Sequence, residues 1–398
     1  MKVLVAPLDW GLGHATRCVP VVRELLNQGA EVELAVVRSN AALLRGFFPT
    51  LRQRLAPSYN IVYPKHGYNM GLWLLKNGAH LNSVIQFEHR YAEEMVKRFH
   101  YDVLLSDNRF GFYSRKAKSI YMTHQRRIAF PPVLSAFESL GMFWHASVMK
   151  HFDEVWVPDV PETPGYAGSL SHVKKSPVML RYVGALSRFD EKVVAEQEIA
   201  EKPYRLFAVV SGVEPARSRF ENLLRSIFER IPGRHAMILG KPALGVKSWV
   251  EKNVEYFSHL PDDRFASVVK NAQWVVSRGG YSTVMDMAVL GAKCIFVPTP
   301  GQYEQIVLSR DLYSAGFAAT ISESDLSLKT FLATISDLGN VALPKPECNN
   351  LLNDAVTNLI SPYLFIIHCS IFIIHYSHAS IHSRFPPDKR NGRTPRHY

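Results

Sequence analysis

Cysteine is scarce: Cys18, Cys294, Cys348 and Cys369 are scattered through 398 residues, none close enough to another to suggest a zinc pair. A disulfide-stapled scaffold is therefore not expected. No stretch reads as a secretion signal ahead of the first apolar run, so a reducing cytoplasm is the expected compartment. Long apolar runs are missing too. Tyr363 to Ile374 is mostly apolar but spans about 12 residues, against the ~20 that a membrane-crossing helix needs. The body of the chain has no arginine-rich run interleaved with aromatics, which argues against nucleic acid as a partner. His368, His375, His378 and His382 lie in a basic, proline-rich tail with no scaffold to fix ligands, so no metal site is expected there.

What is present points to ordinary globular structure. The apolar fraction is 47% and the charged fraction 20%, enough for each of two domains to bury a core. The net charge is +11; residues 361–398 supply five basic side chains against Asp388, which leaves +7 for the rest. That moderate surplus is compatible with a solvated basic surface and with a phosphate-bearing or membrane-surface partner.

The chain repeats one local grammar. Val3-Leu4-Val5-Ala6 is an apolar strand, followed by a glycine-containing loop and a helical pattern from Val19 to Leu26 that Gly29 closes. Glu33 to Val37 follows at the distance of a parallel β-α-β crossover. Strands at Val103-Leu104-Leu105, Ile120-Tyr121-Met122 and Val155-Trp156-Val157 alternate with helical stretches at Leu81 to Phe99 and Val133 to Lys150. Pro158 to Pro203 is rich in proline, glycine and serine and reads as a connection, with a charged helical piece from Glu191 to Glu201. A second series starts at Leu206 to Val210 and continues through Ala236 to Leu239, Val254 to Phe257, Val275-Val276 and Cys294 to Val297. The expected fold is α/β: two Rossmann-like, doubly wound parallel-sheet domains facing across a cleft. The division is residues 1–185, a linker at 186–202, a second domain at 203–360, and a disordered or foreign tail at 361–398.

The most informative stretch runs from Trp274 to Gln305. The strand Trp274-Val275-Val276 enters Ser277-Arg278-Gly279-Gly280-Tyr281-Ser282-Thr283 and then a helix carrying Asp286. Glycines at a strand-to-helix turn let a ligand approach the backbone, and the first-turn N–H groups favour an anion. Asp286 is placed to accept hydrogen bonds from a ribose attached to such a phosphate. With Pro298 to Gln305 after the next strand, this half resembles the GT-B-fold glycosyltransferases, specifically the MurG-like N-acetylglucosaminyltransferases. Gly11-Leu12-Gly13-His14 is similar to the glycine-rich, histidine-ended first loop of the same group. The resemblance covers roughly residues 1–360.

It implies a fold of the GT-B type, a UDP-sugar in the C-terminal half and a hydroxyl acceptor in the N-terminal half. Arg278, Gly279 and Gly280 would line the nucleotide pocket, Thr283 would lie near the diphosphate, and Asp286 would hold the ribose. Leu260 and Pro261 match the segment whose backbone reads uracil; Gln302 and Gln305 match a loop that touches the sugar. Ser211 and Gly212 fall at a phosphate-facing loop. Gly11, Gly13, His124 and Arg126 would face the acceptor, which the resemblance makes a lipid- or phosphate-linked glycan, with peripheral contact at the inner membrane face. The aromatic stretch His66 to Leu75 suits either such a contact or core packing.

Sugar transfer needs a stabilised leaving phosphate and a base for the acceptor hydroxyl. No two aspartates stand as Asp-x-Asp, the usual holder of a divalent ion. A helix N-terminus beside Arg278 would supply positive charge instead, so no metal and no cofactor are expected. His14 is the leading base, Asp107 the second candidate and Asp9 the third. The expected activity is an inverting UDP-glycosyltransferase. Alternatives are a sugar-nucleotide epimerase or hydrolase of the same fold, or a non-catalytic nucleotide-sugar or glycan sensor. A dinucleotide oxidoreductase fits less well, since Gly11 and Gly13 lack the third glycine of the fingerprint.

Overall fold

A computed structural model describes residues 1–59, 70–189, 204–337, 339, 341–344, 346 and 350–363. The charged piece at 191–201, the tail histidines and the side chains of the aromatic stretch 66–75 lie outside the described residues and side chains. The first seven strands are β1 (Lys2–Pro7), β2 (Glu31–Val36), β3 (Gln53–Leu55), β4 (Val103–Asp107), β5 (Lys118–Met122), β6 (Glu154–Val157) and β7 (Met179–Tyr182). They form one parallel sheet in the order β3-β2-β1-β4-β5-β6-β7. Its helices are α1 (Leu12–Asn27), α2 (Arg38–Phe47), α3 (Met70–Phe99) and α4 (Glu138–Met149). Helix α1 ends where Gly29 takes φ 81°, and the amides of Gly29 and Ala30 return to Leu26 and Leu25. A residue with Cβ is strained in that conformation, so the glycine sets the helix end.

The second sheet holds β8 (Tyr204–Val209), β9 (His235–Ile238), β10 (Ser248–Glu251), β11 (Val254–Phe257), β12 (Ala272–Ser277), β13 (Cys294–Phe296) and β14 (Ala319–Thr320). The order is β10-β11-β9-β8-β12-β13-β14, parallel throughout except for β10 at the edge. Helices α5 (Ala216–Phe228), α6 (Asp262–Lys270), α7 (Tyr281–Leu290), α8 (Tyr303–Ser314) and α9 (Leu328–Asp337) cover it. Apart from the exposed edge strand β10, these strands are largely buried and carry short apolar runs, which is why the sequence shows them so plainly. The expected α/β architecture of two doubly wound sheets is the observed one.

Two regions cross between the units. The turn around Tyr166, Ala167 and Leu170 inserts into the core beneath the second sheet, and Asp311 of α8 accepts hydrogen bonds from the Ser169 amide (2.9 Å) and hydroxyl (2.6 Å). A last helix, α10 (residues 350–363), returns to the first sheet: Ala355, Val356, Leu359 and Ile360 join the core of Val3, Val19 and Val22. Its Asn353 Nδ2 donates to Glu24 at 2.9 Å. This helix packs with the first unit, where the division of the sequence at 203–360 places it with the second. Likewise β7 lies inside the stretch read as connection, as the outer strand of the first sheet.

Candidate active site

Strand order reverses between β1 and β4 in the first sheet and between β8 and β12 in the second, and such reversals open crevices beyond the carboxyl ends of the strands. The two crevices face each other around a cavity of about 330 Å³. Trp10, His14, Arg17 and His124 line it from the first unit; Gly280, Thr283, Gln302 and Glu304 line it from the second. The N-termini of α1, α7 and α8 all open there, so three helix dipoles present their positive ends to it. Helices α1 and α7 meet at Gly13, whose carbonyl accepts the Ser282 hydroxyl at 3.0 Å. A Cβ on Gly13 would lie 2.7 Å from that same oxygen, so only glycine permits the approach.

His14 lies on the first turn of α1 with Nδ1 3.0 Å from Asp107 Oδ2, at the end of β4. Asp107 is fully buried; its Oδ1 accepts Arg17 Nε at 2.8 Å and also Arg17 Nη2. His14 Nδ1 lies between Asp107 Oδ2, which only accepts, and Arg17 Nη2 at 2.9 Å, which only donates; in the tautomer with its proton on Nδ1 the ring donates to the carboxylate and leaves Nε2 with a free lone pair. Burial and then the adjacent Arg17 charge push the His14 pKa below its ordinary value, outweighing the carboxylate, so the imidazole is neutral near pH 7. For Asp107, burial acts to raise the pKa, but Arg17 and His14 outweigh it and hold the group ionised.

Arg17 extends the network. Its Nη1 donates to His124 Nδ1 at 2.8 Å, which places the His124 proton on Nε2, and that proton is donated to Glu304 Oε1 at 3.0 Å. The His124 ring stacks on Tyr281, centroids 3.8 Å apart. A charged chain thus runs Asp107, Arg17, His124, Glu304 from one unit to the other. Burial works against ionising Glu304, yet the His124 hydrogen bond keeps its pKa below normal. Among the described residues no group of His, Cys, Asp or Glu is arranged to hold a metal ion.

Of the residues expected from sequence, Gly13, His14, His124, Gly280, Thr283 and Gln302 line the cavity, and Asp107 stands directly behind it. Gly11 flanks it, exposed, at φ 90°. Others are employed elsewhere. Arg278 is 2% exposed and points into the body, donating to Glu323 at 2.5 Å and to the Val297 carbonyl at 3.1 Å, with Phe220 under its guanidinium. It therefore does not line the pocket. A Cβ on Gly279 would fall 2.2 Å from Ser309 Oγ, so this glycine serves the packing of the turn on α8. Arg126 is buried and donates to the carbonyls of Ser171 (3.1 Å) and Lys175 (2.8 Å), anchoring that loop. Asp286 accepts the Ser187 hydroxyl at 2.7 Å and lies 3.7 Å from Arg188, both at the exit from the first unit. Leu260 is buried in the core and Pro261 is the exposed residue before α6. Gln305 braces its own loop through the Thr299 amide (2.9 Å) and Gln302. Ser211 and Gly212 form the loop after β8 without entering the cavity lining. Asp9 accepts Ser58 Oγ at 2.5 Å and the Tyr59 amide at 3.1 Å, so it secures the segment after β3.

Sequence reading missed Arg17, Tyr281 and Glu304. Arg17 had a signal: three residues beyond His14, it shares a helical face with it.

Residues 244–351 match the glycosyltransferase family 28 C-terminal domain. The whole architecture superposes on Acinetobacter baumannii MurG with a TM-score of 0.55 at 15% identity, covering 91% of this chain and 99% of that one. The chain has the GT-B fold, and its second unit carries the family 28 match. The chain is 22% identical to an uncharacterized glycosyltransferase of Methanosarcina acetivorans, over 81% of the chain and 84% of the relative. It is 26% identical over a shorter span, 40% of the chain and 43% of the relative, to the UDP-N-acetylglucosamine–N-acetylmuramyl-(pentapeptide) pyrophosphoryl-undecaprenol N-acetylglucosamine transferase of Clavibacter michiganensis.

Proposed function

We propose that this protein is a glycosyltransferase that moves a hexose or N-acetylhexosamine from a UDP-sugar to a hydroxyl on a lipid- or phosphate-linked glycan, with inversion and without a metal ion. The observation that carries the reading is the His14–Asp107 pair at the mouth of α1, facing the N-terminus of α7 across one cavity. The acceptor oxygen bonds to the anomeric carbon as the carbon–oxygen bond to the diphosphate breaks, and the hydroxyl proton passes to His14 Nε2. Asp107 orients the ring and stabilises the imidazolium that forms. The departing diphosphate keeps its charge beside the first-turn amides of α7 at Gly280 to Thr283. A direct displacement with the base opposite the leaving group inverts the anomeric centre. The UDP donor is supported by the name of the Clavibacter relative. The site of action would be the cytoplasmic face of a membrane, by peripheral contact; no helix among the described residues is long and apolar enough to cross one.

The test is calorimetry with UDP, GDP, ADP and TDP. Product analysis then follows, with UDP-sugars and cell lipid extract, with and without EDTA. Tightest binding of UDP and an inverted glycoside formed equally in EDTA are the expected results. Preference for another diphosphate would overturn the donor, and activity lost in EDTA would overturn metal independence. Donor consumption without an acceptor product would instead favour an epimerase or hydrolase.

A further inference from the structure

Beside the transfer cavity, α3 and α4 enclose a second hollow of about 330 Å³. Leu81 and Ile85 of α3, Leu140 and Trp144 of α4, and Ile128 between them form much of its wall, and none of its lining residues is charged. Ile128 also lines the transfer cavity, so the hollows share a wall. Two glycines open the space. Gly78 has nothing within 4 Å of where a Cβ would stand, and Gly141 allows the Phe130 ring to lie on α4, where a Cβ would be 2.9 Å from it. At the rim, Leu140 is 59% and Phe143 75% exposed, an apolar surface left facing water.

We propose that this hollow holds an extended apolar tail of the acceptor while its hydroxyl end reaches His14; the assignment rests on the transfer reading of the neighbouring cavity. A volume near 330 Å³ falls within the range of ligand pockets, about 300–1,000 Å³. A flat membrane surface or a second copy of the chain would cover only the rim. Neither accounts for a recess that runs inward to Leu81, only 5% exposed, and shares Ile128 with the site of chemistry. The acceptor is thus an amphiphile whose chain is sequestered by the protein.

The experiment is titration calorimetry of the full chain with hexyl, octyl and decyl β-glucosides below their micellar concentrations, with UDP titrated into the same preparations. Affinity is expected to rise roughly fourfold per added methylene. Gly78→Trp, which fills the open space, and Leu140→Glu, which charges the exposed mouth, should each weaken decyl glucoside at least tenfold with UDP affinity unchanged. Affinity independent of chain length, or unaltered in both variants, overturns the proposal. So does loss of binding to phosphatidylglycerol vesicles in the variants with glucoside binding intact, which would assign the rim to a membrane surface. Retained chain-length dependence without UDP binding would sink the transfer reading while leaving a chain-binding pocket.

Discussion

The turns Gly11 to His14 and Ser277 to Gly280 are built alike, each a strand running through glycine into a helix whose N-terminus meets the same cavity. They use that geometry differently. The first sends side chains forward: His14 and Arg17 follow Gly11 and Gly13 and engage Asp107. The second sends its side chain backward, with Arg278 buried against Glu323, and leaves backbone at the cavity through Gly280. In the proposed transfer, one turn would carry the reacting groups and the other the backbone amides on which the diphosphate rests. Identical local grammar therefore does not assign identical roles, because the direction of one long side chain decides whether the turn is chemical or structural.

Substitutions would separate the two roles. His14→Ala should lower kcat by about 10²–10⁴, the usual worth of a general base, with UDP affinity within twofold by calorimetry; unchanged turnover removes it as the base. Arg278→Ala removes one of the two arginines paired with Glu323, Arg219 keeping the other carboxylate oxygen at 2.5 Å, and should cost about 2–3 kcal/mol of stability in chemical denaturation. The protein that remains folded should bind UDP nearly as well as the parent, and a selective loss of UDP binding would return Arg278 to the ligand site.

Titration sharpens the contrast between a histidine at the cavity and one in the wall. His145, hydrogen-bonded to Tyr121 at 3.0 Å, is brought down by burial to about 4 from 6.5. The unfolded chain then takes up the proton first, so the stabilisation is complete above about pH 6.5 and is lost as pH falls toward 4. The difference is about 3 kcal/mol. Thermal melts should show it, and His145→Gln should flatten that limb; an equal slope in the variant would contradict the assignment. The smallest effect belongs to Gly11→Ala. At φ 90°, with open space around it, the substitution costs backbone strain of about 1–2 kcal/mol and no clash, read as a lowered Tm.

The fold was largely legible in the sequence because the inner strands of both sheets are buried and carry short apolar runs, such as Val3 to Ala6, Val103 to Leu105 and Leu206 to Val209. Short edge elements were not: Gln53–Leu55 and Met179–Tyr182 carry little apolar signal. In the site, the glycine loops and His14 were readable because turn chemistry is local. The partners of Arg278, Arg126 and Asp286 were not, since each is set by a residue far along the chain, such as Glu323 for Arg278 and Ser187 for Asp286. Arg17 and Glu304 were hidden for the same reason, one meeting Asp107 and the other His124 across the two units.

Helix α10 has a mechanical consequence. Because it returns to the first unit, the polypeptide passes between the units twice. Any opening of the cleft has to be accommodated at both crossings, and cutting the chain before residue 350 would leave only one while stripping an apolar cover from the first sheet.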